Sequence, residues 1–315
     1  MEINSKIYVA GDSGLIGSAM VRLLKEKNFQ NVVVRSHSAL DLTREEQVEH
    51  FFESENPDYV ILAAGKVGGI LANSRFPADF IETNLKIQTN VLSAARRSNT
   101  KRLIYFGSSC MYPIGARQPM GEKDLFNGQL EQTSIAYAVS KIAGVQTCLA
   151  FNSQEGEHRF IPVIPNSTYG EYDDLDPESG HVLSSLVRRF HEAKLSGASA
   201  VLLWGSGQPR REFINGNDVA SACFLLLQSD LSSFDFPINL GTGEDVSIAE
   251  LAVMIREVVG YRGEIEWDAN KPDGVMQKLL DASRIRSLGW EPQVTLDNGI
   301  RKFYDWFLKE VQTGS

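Results

Sequence analysis

The chain has 315 residues, 43% hydrophobic and 23% charged, enough for one large or two medium domains with a substantial core. A formal net charge of −9 argues against nucleic acid or an anionic membrane as partner, leaving a small-molecule substrate as the expected one. Cys110, Cys148 and Cys223 have no metal-ligand spacing and cannot all pair, so no metal site is expected and a reducing, cytoplasmic compartment fits.

Met1 to Lys6 runs directly into a strand-like segment and lacks the apolar core of a signal peptide, and no apolar run of membrane-spanning length is apparent. Ile7-Tyr8-Val9-Ala10 is β-prone and ends in Gly11-Asp12-Ser13-Gly14-Leu15-Ile16-Gly17, which opens a helical pattern from Met20 to Lys27. Glycines at the first, fourth and seventh positions of such a loop allow a tight turn, close approach of backbone to a pyrophosphate, and close packing of helix on strand. Between a first strand and a first helix, this favours dinucleotide binding over an ordinary turn. Val32-Val33-Val34 reads as the second strand, and Arg35-Ser36-His37 follows where the adenosine ribose is expected. Arg35 or a charged His37 suits a 2′-phosphate, which selects NADP(H) over NAD(H); Arg35 also fits a solvent-facing loop.

Tyr59 to Ala64 and Arg102 to Gly107 are further apolar strands, with helical stretches between Pro77 and Asn99. The alternation predicts an α/β fold: a Rossmann-type, doubly wound parallel sheet. Ser108 and Cys110 then fall at the carboxyl end of a strand, where active groups of such sheets gather. A serine there is placed to hydrogen-bond a ketone oxygen, whereas a lone cysteine is more often a small core hydrophobe. In Ala136-Tyr137-Ala138-Val139-Ser140-Lys141, tyrosine and lysine share one face of a helix. An ammonium beside a phenol is expected to lower the phenol's pKa, which suits proton transfer to a ketone while a hydride arrives at carbon.

The second half is less regular. Asn166 to Gly180 precedes a helix from His181 to Leu195, Val201 to Trp204 and Phe236 to Leu240 are strand-like, Ser247 to Glu250 is a capping box, and Leu296 to Val311 is a last helix. The expected division is an NADP-binding Rossmann domain over residues 1–165 and a smaller α/β substrate domain over 166–315, with strands near 213–240 returning to the first sheet.

The glycine loop, the strand-end serine and Tyr-x-x-x-Lys, in this order, resemble the extended short-chain dehydrogenase/reductase family, and within it the enzymes that epimerise and reduce GDP-4-keto sugars. Further stretches carry the likeness: Ala64 to Ile70, Gly107 to Pro113, Leu186 to Ala193, Trp204 to Gly207, Arg211-Glu212-Phe213 and Lys271-Pro272-Asp273-Gly274. The resemblance implies Tyr137, Lys141 and Ser108 as the reductase group, with Cys110 and His181 as base and acid of epimerisation. It implies a dinucleotide held by Gly11 to Gly17, Arg35, His37, Asp41, Leu42, Ala63, Ala64, Lys141, Pro165, Asn166, Ser167, Thr168 and His181. It gives the GDP-sugar to Ser109, Arg189, Trp204, Arg211 and Asp273, and it implies a homodimer. From the residues, Ile87, Val91, Ala94 and Ala95 with Ile142, Val145 and Leu149 fit either that dimer's bundle or the chain's own core.

A 4-ketone acidifies the hydrogens on both neighbouring carbons, so inverting either one needs two titratable groups on opposite faces; a thiol and an imidazole serve near neutral pH. The family carries His-Arg where this chain has Asp12-Ser13, and arginine where His37 stands, and its text differs over Asn166 to Gly180. A related reductase of colitose- or heptose-type GDP-sugars, or a non-catalytic NADP-binding protein, is the alternative.

Overall fold

Burial alternates sides along the first strand. Ile7 and Val9 pack into one apolar layer and Tyr8 and Ala10 into another, and all four are buried. A strand covered on both faces is what a parallel sheet between two helix layers requires. The computed structural model describes residues 1–176, 180–271 and 273–313. In chain order come β1 (Ile7–Ala10), α1 (Leu15–Glu26), β2 (Val32–Val33), α2 (Glu45–Glu55), β3 (Tyr59–Leu62), α3 (Ile70–Arg75), α4 (Pro77–Arg97), β4 (Arg102–Phe106), α5 (Ile135–Glu155) and β5 (Phe160–Pro165). There follow β6 (Ser167–Tyr169), α6 (Val182–Ser196), β7 (Ala200–Trp204), β8 (Arg210–Arg211), β9 (Phe213–Asn215), α7 (Gly216–Gln228) and β10 (Ile238–Leu240). The chain ends with β11 (Val246–Ser247), α8 (Ile248–Val259), β12 (Glu264–Asp268), β13 (Gln277–Lys278), α9 (Ser283–Ser287) and α10 (Leu296–Thr313).

The central sheet has the order β10-β5-β4-β3-β1-β2, and every pairing in it is parallel. Helices α1 and α7 supply the layer on one face; α2, α4 and α5 supply the other. This is the doubly wound α/β architecture expected from the alternation. The order reverses between β1 and β3 relative to the chain, since β2 lies on one side of β1 and β3 to β5 run out on the other, so the carboxyl ends of the middle strands open a crevice. A third apolar cluster, from α6, β7, α8 and α10, centres on Phe190, Ile255, Phe303 and Phe307. Small pairings surround the crevice: β6 with β9, β7 with β12, and β8 between β11 and β13.

Helix α5 lies unusually close to β4. A Cβ on Gly144 would fall 2.1 Å from the Tyr105 hydroxyl oxygen, so no larger residue fits there without moving the helix. That hydroxyl donates to Gln88 Oε1 at 2.7 Å, and Gln88 Nε2 donates to the Ser140 carbonyl at 2.8 Å, which ties α4, α5 and β4 together.

One expectation needs correction here, and one open alternative is narrowed. Residues 132–155 are long and apolar enough to cross a membrane by length and composition, against the reading that no such run exists. They form a core helix of the sheet's second layer, which explains why its composition is so apolar. Val91, Ala94, Ala95 and Val145 are buried within this chain, and Ile87, Ile142 and Leu149 pack against them. Val91, Ala94, Ala95 and Val145 are therefore intrachain core, and the other three are partly covered by it.

Candidate active site

The glycine loop sits at the carboxyl end of β1. Gly11 has φ +85°, and a Cβ on it would lie 2.7 Å from the Ala64 backbone nitrogen; one on Gly17 would lie 2.0 Å from the Gly11 carbonyl oxygen. Both positions are closed to side chains by backbone packing. Gly14 differs, because a Cβ there meets only one atom, at 3.6 Å. Gly14 also caps α1 without any side-chain hydrogen bond, so the first amides of α1 are free to face an anion. Across the crevice, Asn166 donates to Glu212 Oε2 at 2.5 Å while its own Oδ1 is buried with no partner among the described residues. An open cradle and an orphaned acceptor fit a bound dinucleotide. Ala63 donates its amide to the Ala10 carbonyl, and Thr168 Oγ1 donates to the Asn166 carbonyl at 3.1 Å, so these strand ends line the same crevice. Ser167 and Pro165 follow on β6 and β5.

The end meant for a 2′-phosphate is less open than the sequence suggests. Arg35 is paired with Glu55 at 2.5 Å and lies over the Phe51 ring. His37 is 84% exposed and 4.0 Å from Asp41, whose carboxyl is held below its ordinary range by hydrogen bonds from Thr43. The Leu42 side chain belongs to the core, so only its backbone is available to a ligand. Asp12 adds a carboxylate to the loop, with exposed Ser13 beside it and half-buried Leu15 and Ile16 behind.

At the end of β4, Ser108 accepts a hydrogen bond from the Cys110 amide at 3.3 Å, which starts a single turn over Ser109–Met111 and buries Ser109. The Ser108 hydroxyl is near enough to the Tyr137 phenol to favour its charged form, and Cys110 acts on that phenol electrostatically in the opposite sense. Lys141, one turn along α5, donates to the Phe106 carbonyl at 2.9 Å, with its ammonium 5.9 Å from the Tyr137 ring centre. The structure thus brings Ser108, Cys110, Tyr137 and Lys141 together. It corrects the expected titration, however. Burial, then the Cys110 charge, push the phenol above its ordinary value despite the serine, and burial lowers Lys141 to about 8. An ammonium spent on a carbonyl and more than 5 Å from the ring does not outweigh desolvation. A phenol that stays protonated remains a competent donor to a ketone; it is a poor base for the reverse step.

His181 caps α6 and is not hydrogen-bonded to Tyr137 or Cys110 among the described residues. Its Nδ1 lies 3.3 Å from Asp173. Burial alone would lower the imidazole, but the Asp173 bond and the Asp173 and Asp174 charges win and hold it above its ordinary value. It is therefore a source of protons near neutrality. Residues 177–179 of the acidic stretch before it lie outside the described residues, as does Pro272.

The residues expected to hold a GDP-sugar are spread over several elements. Arg211 on β8 is lowered by burial, opposed by the charges of Glu131, Cys110 and Asp273. Asp273 accepts from the Ser206 amide and hydroxyl at 2.9 and 2.6 Å, just past β7. Trp204 is 49% exposed, with Lys271 5.2 Å over its ring. Arg189 stands half-buried on α6, with no hydrogen bond or ion pair among the described residues.

Four residues around this group escaped sequence reasoning. Glu212 is wholly buried and takes hydrogen bonds from Asn166 and from the Gly243 and Leu280 amides. Asn84 pins the loop after β3 through Lys66, accepting from its amide at 2.9 Å and donating to its carbonyl at 2.9 Å. Asp173 orients His181, and Lys278 approaches Cys110. Glu212 lies in the Arg211-Glu212-Phe213 stretch without a role read for it, and the other three stand in no motif and are found only by their contacts.

Sheet order, glycine cradle and the serine–tyrosine–lysine group define an oxidoreductase of the extended short-chain dehydrogenase/reductase type. Residues 7–241 match the NAD dependent epimerase/dehydratase family, and the chain belongs to it. It is 50% identical over 308 residues to GDP-L-fucose synthase 1 of Arabidopsis thaliana, covering 98% of this chain and 94% of that one. Among solved structures, a GDP-6-OMe-4-keto-L-xylo-heptose reductase from C. jejuni superposes with a TM-score of 0.93 at 36% identity, covering 98% of this chain and 99% of the other. A GDP-mannoheptose C4 reductase from Campylobacter jejuni with NADP bound gives 0.89 at 38%, with the same coverage of 98% and 99%.

The lowered Lys141 has a consequence for stability. The folded chain loses this proton near 8 and the unfolded chain near 10.5, so the charge penalises the fold fully below pH 8 and the penalty vanishes by 10.5. Lys141→Met should therefore unfold at higher urea than wild type at pH 7, by roughly 1–3 kcal/mol, with the gap closing as pH rises through that interval. A less stable variant at pH 7 would contradict the unpaired buried charge.

Proposed function

We propose that the chain is an NADPH-dependent epimerase-reductase that converts GDP-4-keto-6-deoxy-D-mannose to GDP-L-fucose. The observation that carries this is the thiol of Cys110 set against the Ser108–Tyr137 pair, a second titratable group beside the one that serves a ketone. A reductase alone needs no such group. The half-identity to a GDP-L-fucose synthase over 98% of the chain supports the same substrate.

A dinucleotide held by the glycine loop and Asn166 would supply the hydride when bound. Cys110 takes a proton from the carbon next to the 4-ketone, and His181, held above its ordinary range by its Asp173 partner, returns one on the other face. Ser108 and Tyr137 hold the ketone oxygen throughout, so the enolate's charge rests on donors already in place. Tyr137 then gives its proton to that oxygen as carbon is reduced. Lys141 fixes α5 on β4 and keeps a positive charge near the phenol. Arg189 and Arg211 suit the pyrophosphate, Trp204 suits stacking on guanine, and Asp273 and Ser109 suit polar contacts to the nucleotide and sugar. The region after Asn166 acts as the substrate half and residues 1–165 as the dinucleotide half.

Likeness to the heptose C4 reductases, at TM-scores of 0.93 and 0.89, favours a second reading in which a GDP-heptose is reduced at C4. Tyr137→Phe should cut NADPH oxidation by about a thousandfold while cofactor affinity stays within about twofold. Cys110→Ser should abolish solvent deuterium exchange at C3 and C5 of the sugar, measured with oxidised cofactor, yet leave ketone reduction. Wild-type exchange in the Cys110 variant would hand first place to the C4 reductase.

For the cofactor, NADPH should bind more tightly than NADH, by roughly tenfold, because Arg35 and His37 are the cations nearest the ribose end. The Glu55 pair limits that margin. Equal dissociation constants would show that Glu55 and Asp12 neutralise the preference.

A cytoplasmic homodimer through the outer faces of α4 and α5 completes the reading, since Val139 stays 41% exposed on a helix apolar around most of its girth. Sedimentation equilibrium at micromolar concentration should give twice the 34.9 kDa chain mass; a single chain mass would refute it.

A further inference from the structure

Cys110 is the only cysteine with solvent access, since Cys148 and Cys223 are both fully buried. What faces its sulfur is unusual for a loop thiol. Lys278, at the end of β13, places Nζ 4.0 Å from Cys110 Sγ. The same ammonium lies 3.6 Å from Glu131 Oε2, and both side chains are largely buried, at 15% and 18% exposure. Glu131 is itself held by the Thr133 hydroxyl at 2.9 Å, just before the turn that leads into α5 and Tyr137. The Lys278 backbone is equally fixed, because its carbonyl accepts from Asn166 Nδ2 at 3.2 Å and from the Glu212 amide at 3.3 Å. Its strand neighbour in register is Arg211, whose guanidinium also feels the Cys110 charge. The groups acting on the sulfur are thus Lys278 and Arg211 as cations, Glu131 as the competing anion, and Tyr137 as a neutral phenol.

We propose that Lys278 is a positioning residue whose ammonium, 4.0 Å from the sulfur, stabilises the thiolate through which Cys110 acts as base, and that Glu131 fixes the ammonium at that distance. The proposal rests on the epimerase reading of the site. A thiol cannot take a proton from carbon, whereas a thiolate can. The thiolate accepts the proton from C3 or C5 and becomes a thiol, while the C–H pair moves into the enolate and its charge settles on the C4 oxygen. The His181 imidazolium delivers a proton to the opposite face and becomes neutral. Thiol and imidazole then return to their starting states by exchanging one proton with water, so no charge or electron is left over.

The test uses the intact protein and iodoacetamide near neutral pH, with labelling read by mass spectrometry and Cys110→Ser as blank. Lys278→Met should slow alkylation of Cys110 by roughly fivefold or more, and Lys278→Arg should stay within about twofold of wild type. Glu131→Gln, which loosens the ammonium from its seat beside the sulfur, should slow it as well, by less than Lys278→Met does, and faster alkylation in this variant would overturn the holding role of Glu131. In the same series, Lys278→Met should slow deuterium exchange at C3 and C5 while KM for the GDP-sugar changes by less than about twofold. Unchanged alkylation in Lys278→Met, or a raised KM with exchange intact, would overturn the proposal and make Lys278 a phosphate ligand. If wild type exchanges no deuterium at all, the epimerase reading fails on its own, and the alkylation rates still decide the role of Lys278.

Discussion

The fit of α5 on β4 leaves no room for adjustment. Gly144 touches the Tyr105 hydroxyl, Gln88 locks both to α4, and Lys141 reaches the Phe106 carbonyl. Those contacts fix the rotation and height of one helix, and so fix where Tyr137 stands relative to Ser108. Without that seating, a tyrosine and a lysine on one helix face are only a surface pattern. The apolar character of α5, which makes it read like a membrane helix, is the same requirement expressed in composition: a helix pressed between a sheet and a neighbouring helix has little polar surface to spare.

The site is built from groups that burial pulls in different directions. Tyr137 is kept neutral and Lys141 is made easier to discharge, whereas Asp173 holds the half-exposed His181 above its ordinary range. A phenol kept neutral and an imidazole kept charge-prone are set by desolvation in one case and a carboxylate in the other. Burying an ammonium without a carboxylate partner costs stability, and the chain retains it where a reaction would use it.

Much of the first half was legible because the signals are local. The alternation of short apolar runs and helical stretches gave the sheet, the spacing of Gly11, Gly14 and Gly17 gave the cradle, and Ser108 and Tyr137 lie where strand end and helix start were read. Helix α2 and the short strands β6, β8, β9, β11, β12 and β13 were not read, the strands because two- to five-residue pairings carry no periodicity. Charge partners were illegible for a related reason. Arg35 in sequence is a free cation, yet Glu55, twenty positions later, holds it. The expected fall in the Tyr137 pKa failed because spacing on a helix reports neighbours but not burial.

The place of β10 bears on how this architecture can be divided. Residues 238–240 form an outer strand of the central sheet beside β5, although some seventy residues of other structure separate the two in the chain. A fragment ending at Pro165 would leave β5, apolar on both faces, with its hydrogen-bonding edge bare, and Asn166 and Glu212 would be parted. Such a fragment invites strand-to-strand aggregation. The nucleotide half therefore cannot be exchanged between proteins as one continuous cassette; recombination that keeps the sheet whole has to carry the segment through Leu240 along with it.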